Sequence, residues 1–428
     1  MLYASGYTLE PGFKVRKTGA LIADSEPKEA EVIIEGYTRK NIISRLLGED
    51  GTNAKTPAKI KNLAPGRYDI TLHKEGYYDW KKNLEIKPGE STYIEDVSLF
   101  KKGEKILLNS GNYAFGVVSP DKKLAAFAGK SELAIFSIDE DDSLQILFST
   151  SSNSSDLSEI SWSPNSKSLI SGKLLFFEKD WNNPLDLKKL IGDSISRISW
   201  ETENGAFYYV NQDFLWKYDV DSKRSKEIIA LKNIKNYSVD DNLLFYLENL
   251  KNASNLNVRN LKTDKVERSL SLPSSEYVFW AKGASEYVNV FDSAHKILYL
   301  ADPFSSYRPI YESIANVDFA EWVDNEKLLY ASLHEIWIFN SKSRSKTLLT
   351  RISDEINSIA WHPGNNYALY ATDKEIFTIE LDDREKYNIT RIISAENIGA
   401  MEIDKQGDAI YFISATNGQK GAYKYFIR

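Results

Sequence analysis

An all-β fold is what this sequence predicts, on three observations. A short strand-like unit returns eight times: Ile-Ser-Trp at 160–162 and again at 198–200, variants at 278–280, 320–322 and 359–361, and copies without the indole at 116–118, 237–239 and 401–403. Its anchor residues are Val118, Trp162, Trp200, Val239, Trp280, Trp322, Trp361 and Ile403, and they follow one another at steps of 44, 38, 39, 41, 42, 39 and 42. Aromatic residues make up 12% of the chain and most are Tyr and Phe, which suit pleated strands. Polar turns such as Ser119-Pro-Asp-Lys122, Ser163-Pro-Asn-Ser166 and His362-Pro-Gly-Asn365 come directly after the anchors. Proline presets φ at the second place and Asp, Asn or Gly completes the bend. A period of about 40 residues built from strands and turns marks a β-propeller, one blade per period. Eight blades are expected, or seven if the weak repeat at 232–275 forms none of its own.

The elements justify this in order. Residues 1–17 read as an N-terminal extension, 18–100 as a small β-sandwich and 101–428 as the propeller. In the first hundred residues, Glu31–Glu35, Asp69–His73 and Thr92–Leu99 read as strands, with turns at Pro65-Gly66, Gly76–Trp80 and Lys87-Pro-Gly89. Residues 41–48 carry apolar side chains at 42, 43, 46 and 47, a spacing for one or two helical turns. Beyond residue 100 each repeat shows an inner strand ending at the anchor, a second strand (Leu124–Ala128, Tyr367–Thr372), a third (Leu133–Ile138, Ile297–Ala301) and an outer one (Lys226–Leu231, Thr347–Arg351). Stacking such sheets radially buries both their faces, which is why the strands lose clean alternation. The indoles are expected to pack between neighbouring blades. The last repeat stops after Ala422–Ile427. Its missing outer strand is expected from Lys105–Asn109, so that no edge is left free. The link at 98–104 is too short for wide domain motion.

Composition excludes several classes. Cysteine is absent, which rules out disulfides and thiolate metal sites. The net charge is −7, so no broad basic field argues for nucleic acid. There is no apolar run of membrane-spanning length. Four His residues (His73, His295, His334, His362) lie far apart. Gly129-Lys-Ser131 lacks the upstream Gly of a phosphate loop and reads as a strand-connecting turn. Asp139–Ser143 lacks the central Gly and distal Glu of a calcium loop and reads as a solvated turn. No nucleophile elbow or zinc motif is present. No catalytic residue, metal ligand or cofactor is therefore assigned. The ionisable residues near the expected inner strands are few: Glu159, Arg197, Asp318, Glu321 and Glu402. Candidate contact residues are Phe177 and Trp181, placed near a long connection at 176–184, and Ile43 and Leu46 in the apolar turn. The plainer readings are a core role for Phe176, a rim role for Trp181, and packing of 42–47 on its own domain.

Two resemblances follow from particular residues. Ser25-Glu-Pro-Lys-Glu-Ala-Glu-Val32, Thr56-Pro57, Leu63-Ala-Pro-Gly-Arg-Tyr68, Gly76-Tyr77 with Trp80, and Leu99 resemble a PEGA domain over roughly 18–100. Glu29 stands where that family has Gly, and 38–55 is longer than its usual turn. The pattern Ile-x-Trp-x-Pro at 160 and 359 resembles tryptophan–aspartate-like propellers, including the translocation protein TolB type, although no Gly-His or Trp-Asp dipeptide occurs. The PEGA resemblance implies a bacterial or archaeal surface protein outside the cytoplasm, anchored by a membrane helix lying ahead of Met1. A cytoplasmic protein beginning at its natural Met1 is the alternative. The expected role is a non-enzymatic platform with a protein or glycan partner on a propeller face and no nucleic-acid partner. The alternatives are a laterally self-assembling envelope scaffold, and a propeller enzyme acting on surface glycan or peptide.

Overall fold

The computed structural model describes every residue except 1–6, 11–13, 36–53, 139–145, 152–156, 158–159, 202–204, 231–233, 281–284, 365 and 417. The expected helical turn at 41–48, with Ile43 and Leu46, and the acidic turn at 139–143 lie outside the described residues.

After a two-stranded ribbon (Tyr7–Glu10 with Lys14–Lys17), the N-terminal module has two three-stranded sheets. One places Gly19–Glu26 between Ala58–Leu63 and Ser91–Ser98; the other places Gly66–His73 between Glu31–Ile34 and Trp80–Ile86. One core serves both: Leu21, Leu63 and Ile94 from the first meet Val32, Leu72, Trp80 and Leu84 from the second. Gly89, at φ +76°, makes the bend after Pro88 that was expected. Pro65-Gly66 differs from expectation. Ala64 and Pro65 carry the chain from one sheet to the other, and Gly66 already opens the next strand.

Residues 106–426 form eight four-stranded antiparallel sheets, each ordered from inner to outer strand along the chain. They occupy 115–151, 160–186, 195–230, 234–272, 277–314, 319–351, 356–394 and, for the eighth, 401–426 completed by Ile106–Ser110. The weak repeat thus folds as a sheet of its own, the fourth. Ile106–Ser110 pairs antiparallel with Gln419–Phe426, in the register Ala422↔Asn109 and Tyr423↔Leu107. A one-turn helix that the sequence pattern does not announce, Leu187–Ile191, lies between the second and third sheets, N-capped by the Asp186 carboxylate.

Burial explains why the sheets associate. Each hydrophobic core draws on two successive sheets: Leu133 and Ile135 of the first surround Trp162 and Phe176 of the second. The succession returns on itself, because Tyr113, Phe127 and Phe136 share a core with Tyr411, Ile413 and Ala422 of the eighth sheet. The indoles act at these seams. Trp162 Nε1–H donates to Val117 O of the first sheet (3.2 Å), Trp200 to Ser161 O of the second (3.0 Å), and Trp322 to Asn289 Oδ1 of the fifth (3.2 Å). A buried indole needs such an acceptor, and the preceding sheet supplies it.

Candidate functional site

Antiparallel order gives the eight sheets two opposite faces. Turns from inner to second strand and from third to outer strand open on one face. Turns from second to third strand, and the connections to the next sheet, open on the other. The N-terminal module sits on the first face, at the seventh and eighth sheets.

The junction is built from alternation. In Trp80–Ile86 the even-numbered residues point inward, so Lys82 lies in phase with buried Trp80, Leu84 and Ile86. A buried ammonium needs counter-charge. Glu380, at the end of the third strand of the seventh sheet, provides it at 3.0 Å, and Asp382 just beyond at 3.1 Å. Trp80 Nε1–H donates to the other Glu380 oxygen (2.8 Å), and Asn388 Nδ2 donates to Oε2 (2.9 Å). Burial raises the Glu380 carboxyl above the usual range, with the Trp80 indole and Lys82 ammonium pulling the other way. Burial also pushes Asp382 up, but hydrogen bonds from Arg384 and Lys82 outweigh it and hold that carboxyl down at about 2. Arg384 also reaches Tyr93 O (2.6 Å), and Glu385 accepts from Asn83 N–H (2.6 Å).

Apolar contacts complete the joint. Phe100 stands edge-on to Tyr367 (5.0 Å, 89°) and to His362 (6.1 Å, 84°). The Tyr367 hydroxyl accepts from Ser98 N–H (3.0 Å), and Tyr78 OH donates to Ile392 O (3.2 Å). A cleft of about 180 Å³ between Tyr78, Trp80, Phe100, Tyr367 and Ile389 marks the rim of this contact. On the opposite face a hollow of about 660 Å³ is lined by Asp354, Asp373, Glu375 and Glu396.

The other sequence candidates fall as follows. Trp181 is buried and stands edge-on to Trp162 (6.0 Å, 84°), so its ring faces a core instead of solvent. Phe177 is half-buried against the core shared by the second and third sheets, and Phe176 is fully buried. The expected long connection at 176–184 is a tight hairpin between Leu174–Phe177 and Asp180–Asp186. Arg197 joins strands by donating to Ile234 O (2.9 Å), and Asp318 pairs with Lys296 (2.5 Å). Glu321 and Glu402 belong to the sixth and eighth inner strands, and Glu159 lies outside the described residues. The four histidines stay apart: His73 pairs with Asp79, His295 with Asp292, His334 with Asp354 O and His362 with Gly407 O. Among the described residues no three His, Asp or Glu side chains come together to hold a metal ion. Among the same residues no helix is long and apolar enough to cross a membrane. The junction carries no sequence motif and was not among the expected sites.

Comparison with known proteins agrees with this architecture. The PEGA domain family matches residues 18–97, the span of both three-stranded sheets. No curated protein matches the chain. Among solved structures, the C-terminal WD40 domain of Sif2 is similar at 15% identity and a TM-score of 0.52, over 76% of this chain and 98% of that one. The Dos1 propeller is similar at 11% identity and 0.51, over 76% and 94%. A crystal structure of the eukaryotic initiation factor is similar at 10% identity and 0.50, over 74% and 90%. At these identities the likeness shows fold alone: the C-terminal portion has the β-propeller fold of these WD40 structures, and the PEGA model matches the module ahead of it.

Proposed function

We propose that this chain is a non-enzymatic interaction platform: a closed, eight-bladed propeller held at a set angle by its PEGA domain. The observation that carries the reading is the Lys82–Glu380–Asp382 junction. Burying paired charges between domains adds little net stability, so what the junction supplies is one specific orientation, and a fixed orientation matters for a surface that must meet a partner. Among the described residues the module contacts the seventh and eighth sheets, and loops elsewhere on the propeller suit contact with a partner. The PEGA resemblance supports a location outside the cytoplasm, at a membrane surface. A protein is the partner class that propellers of this kind suit, with surface glycan as the narrower alternative.

Affinity capture with the whole chain as bait, after cross-linking in intact cells of the source organism, tests the platform. A reproducible protein or glycan partner is expected. Recovery of other copies of this chain alone would replace the platform with the laterally assembling scaffold. Protease accessibility in intact cells tests the location, and protection of the chain from added protease would remove it from the exterior.

A further inference from the structure

The rim of the fourth to sixth sheets carries a feature that the junction does not explain. Residues 302–309 link the third strand of the fifth sheet, Ile297–Ala301, to its outer strand, Ile310–Ile314. This loop is braced from within. The Asp302 carboxylate accepts from the N–H groups of Phe304 (3.1 Å) and Ser305 (3.2 Å). Asp302 N–H donates to Pro309 O (2.9 Å), and Arg308 N–H to Ser305 Oγ (3.1 Å). So braced, the loop holds Phe304 45% exposed and Tyr307 100% exposed. An order-promoting network that presents aromatic rings to water is the reverse of what stability alone would select.

The surrounding charges are arranged to match. Arg268, on the outer strand Lys265–Leu272 of the fourth sheet, lies over the Phe304 ring at 5.5 Å. Arg308 lies over Tyr311 at 5.8 Å. Among the described residues neither guanidinium has a carboxylate partner; Arg268 gives one hydrogen bond to Glu267 O. The neighbouring cations are taken: Arg344 and Lys346 by Glu312, and Arg259 by Asp264. In a chain of net charge −7, two ring-stacked arginines without a carboxylate beside exposed aromatics are a selective arrangement. Stacking orders the planar fork, whose N–H groups then suit a carboxylate.

We propose that this rim docks an acidic, extended segment of a protein partner. Arg268 and Arg308 take its carboxylates, and Phe304 and Tyr307 seat an apolar side chain between them. The proposal rests on the platform reading and supplies its contact site. An anionic lipid surface, which offers no single side chain for the apolar seat between the guanidiniums, is the alternative the test separates.

The test uses the whole chain and a fluorescent synthetic peptide of alternating Glu and Leu, read by anisotropy. A Gln-for-Glu peptide and phosphatidylglycerol vesicles run beside it. Expected is saturable binding of the acidic peptide, weakened about tenfold or more by R268E/R308E and by Y307S, and little binding of the Gln peptide. Both variants alter exposed side chains, and unchanged melting curves show that they fold. No binding of the acidic peptide, equal binding of the Gln peptide, unchanged affinity of the variants, or binding to vesicles alone would each overturn the proposal. Repeating the cross-linked capture with R268E/R308E separates the two readings. A partner held equally by both chains rejects the rim but keeps the platform; a partner lost with the variant supports both.

Discussion

The Nζ of Lys82 lies 3.0 Å from Glu380 Oε2, and the lysine side chain that carries it is wholly buried between the two domains. Removing the ammonium leaves the Glu380 carboxylate buried without its counter-ion, while Asp382 keeps Arg384, a cost of about 3–5 kcal/mol. Lys82→Met is therefore expected to lower the denaturant midpoint and to raise hydrogen exchange across 380–385. Lys82→Met/Glu380→Met, which removes both charges, should recover most of the loss because apolar replacement of a buried pair is close to neutral. A Lys82→Met chain as stable as wild type would remove the junction as an energetic link.

How much of this was legible in the sequence differs by element. The repeat was legible because the physics is local. An indole at a strand end, recurring about every 40 residues, says strand and seam within a few residues, and the seams at Trp162, Trp200 and Trp322 are where that repeat put them. The closing strand was legible too, since the last repeat was one strand short and 105–109 stood unassigned. The junction was not, because Glu380 is 298 residues from Lys82 and reads alone as one more acidic residue. A signal was nonetheless present: Lys82 falls on the inward phase of a strand whose other inward residues are Trp80, Leu84 and Ile86. The burial of Trp181 was not legible for a related reason. Its neighbours Asp180, Asn182 and Asn183 look like a loop, but they form an outer strand whose alternate side faces Trp162.

His362 gives the fold a dependence on acid. Its Nδ1 accepts from Gly364 N–H (3.0 Å) and its Nε2–H donates to Gly407 O (3.2 Å), tying the seventh sheet to the eighth. Burial lowers its pKa to about 4, outweighing the Gly407 contact. The unfolded chain, with an ordinary imidazole, binds a proton more readily than the folded one. Stability should therefore fall as pH drops from about 6.5 toward 4, by roughly 3 kcal/mol from this residue, and level off below. His362→Asn should flatten that segment when unfolding is measured from pH 7 to 4. An unchanged slope would assign the dependence to other groups; Glu380, whose pKa is raised, acts in the opposite sense.

Trp200 separates packing from hydrogen bonding at a seam. The ring is buried, stands edge-on to Phe207 (5.7 Å, 77°), and donates to Ser161 O (3.0 Å). Trp200→Phe keeps most of the apolar contact and loses the donor, for about 1 kcal/mol. Trp200→Ala also opens a cavity between the second and third sheets, for about 3–5 kcal/mol. Urea titration distinguishes them. Equal losses for the two variants would mean that the indole N–H, not the ring, holds the seam.

The strand that completes the eighth sheet depends on Gly421. A Cβ there would stand 2.3 Å from Asn109 O and 2.7 Å from a Leu107 methyl. Backbone oxygen cannot move aside as a flexible side chain can, so any larger residue pushes Ile106–Ser110 off its partner. Gly421→Val is expected to cost about 3 kcal/mol or more, in the upper range for overpacking, and to expose the amides of 106–110 to exchange. Gly418 provides the control. It has φ +77°, and a Cβ there would meet nothing within 4 Å, so Gly418→Ala should cost only its backbone strain, about 1 kcal/mol. If Gly421→Val left the 106–110 amides as protected as before, that segment would not be what joins the first sheet's side of the molecule to the last.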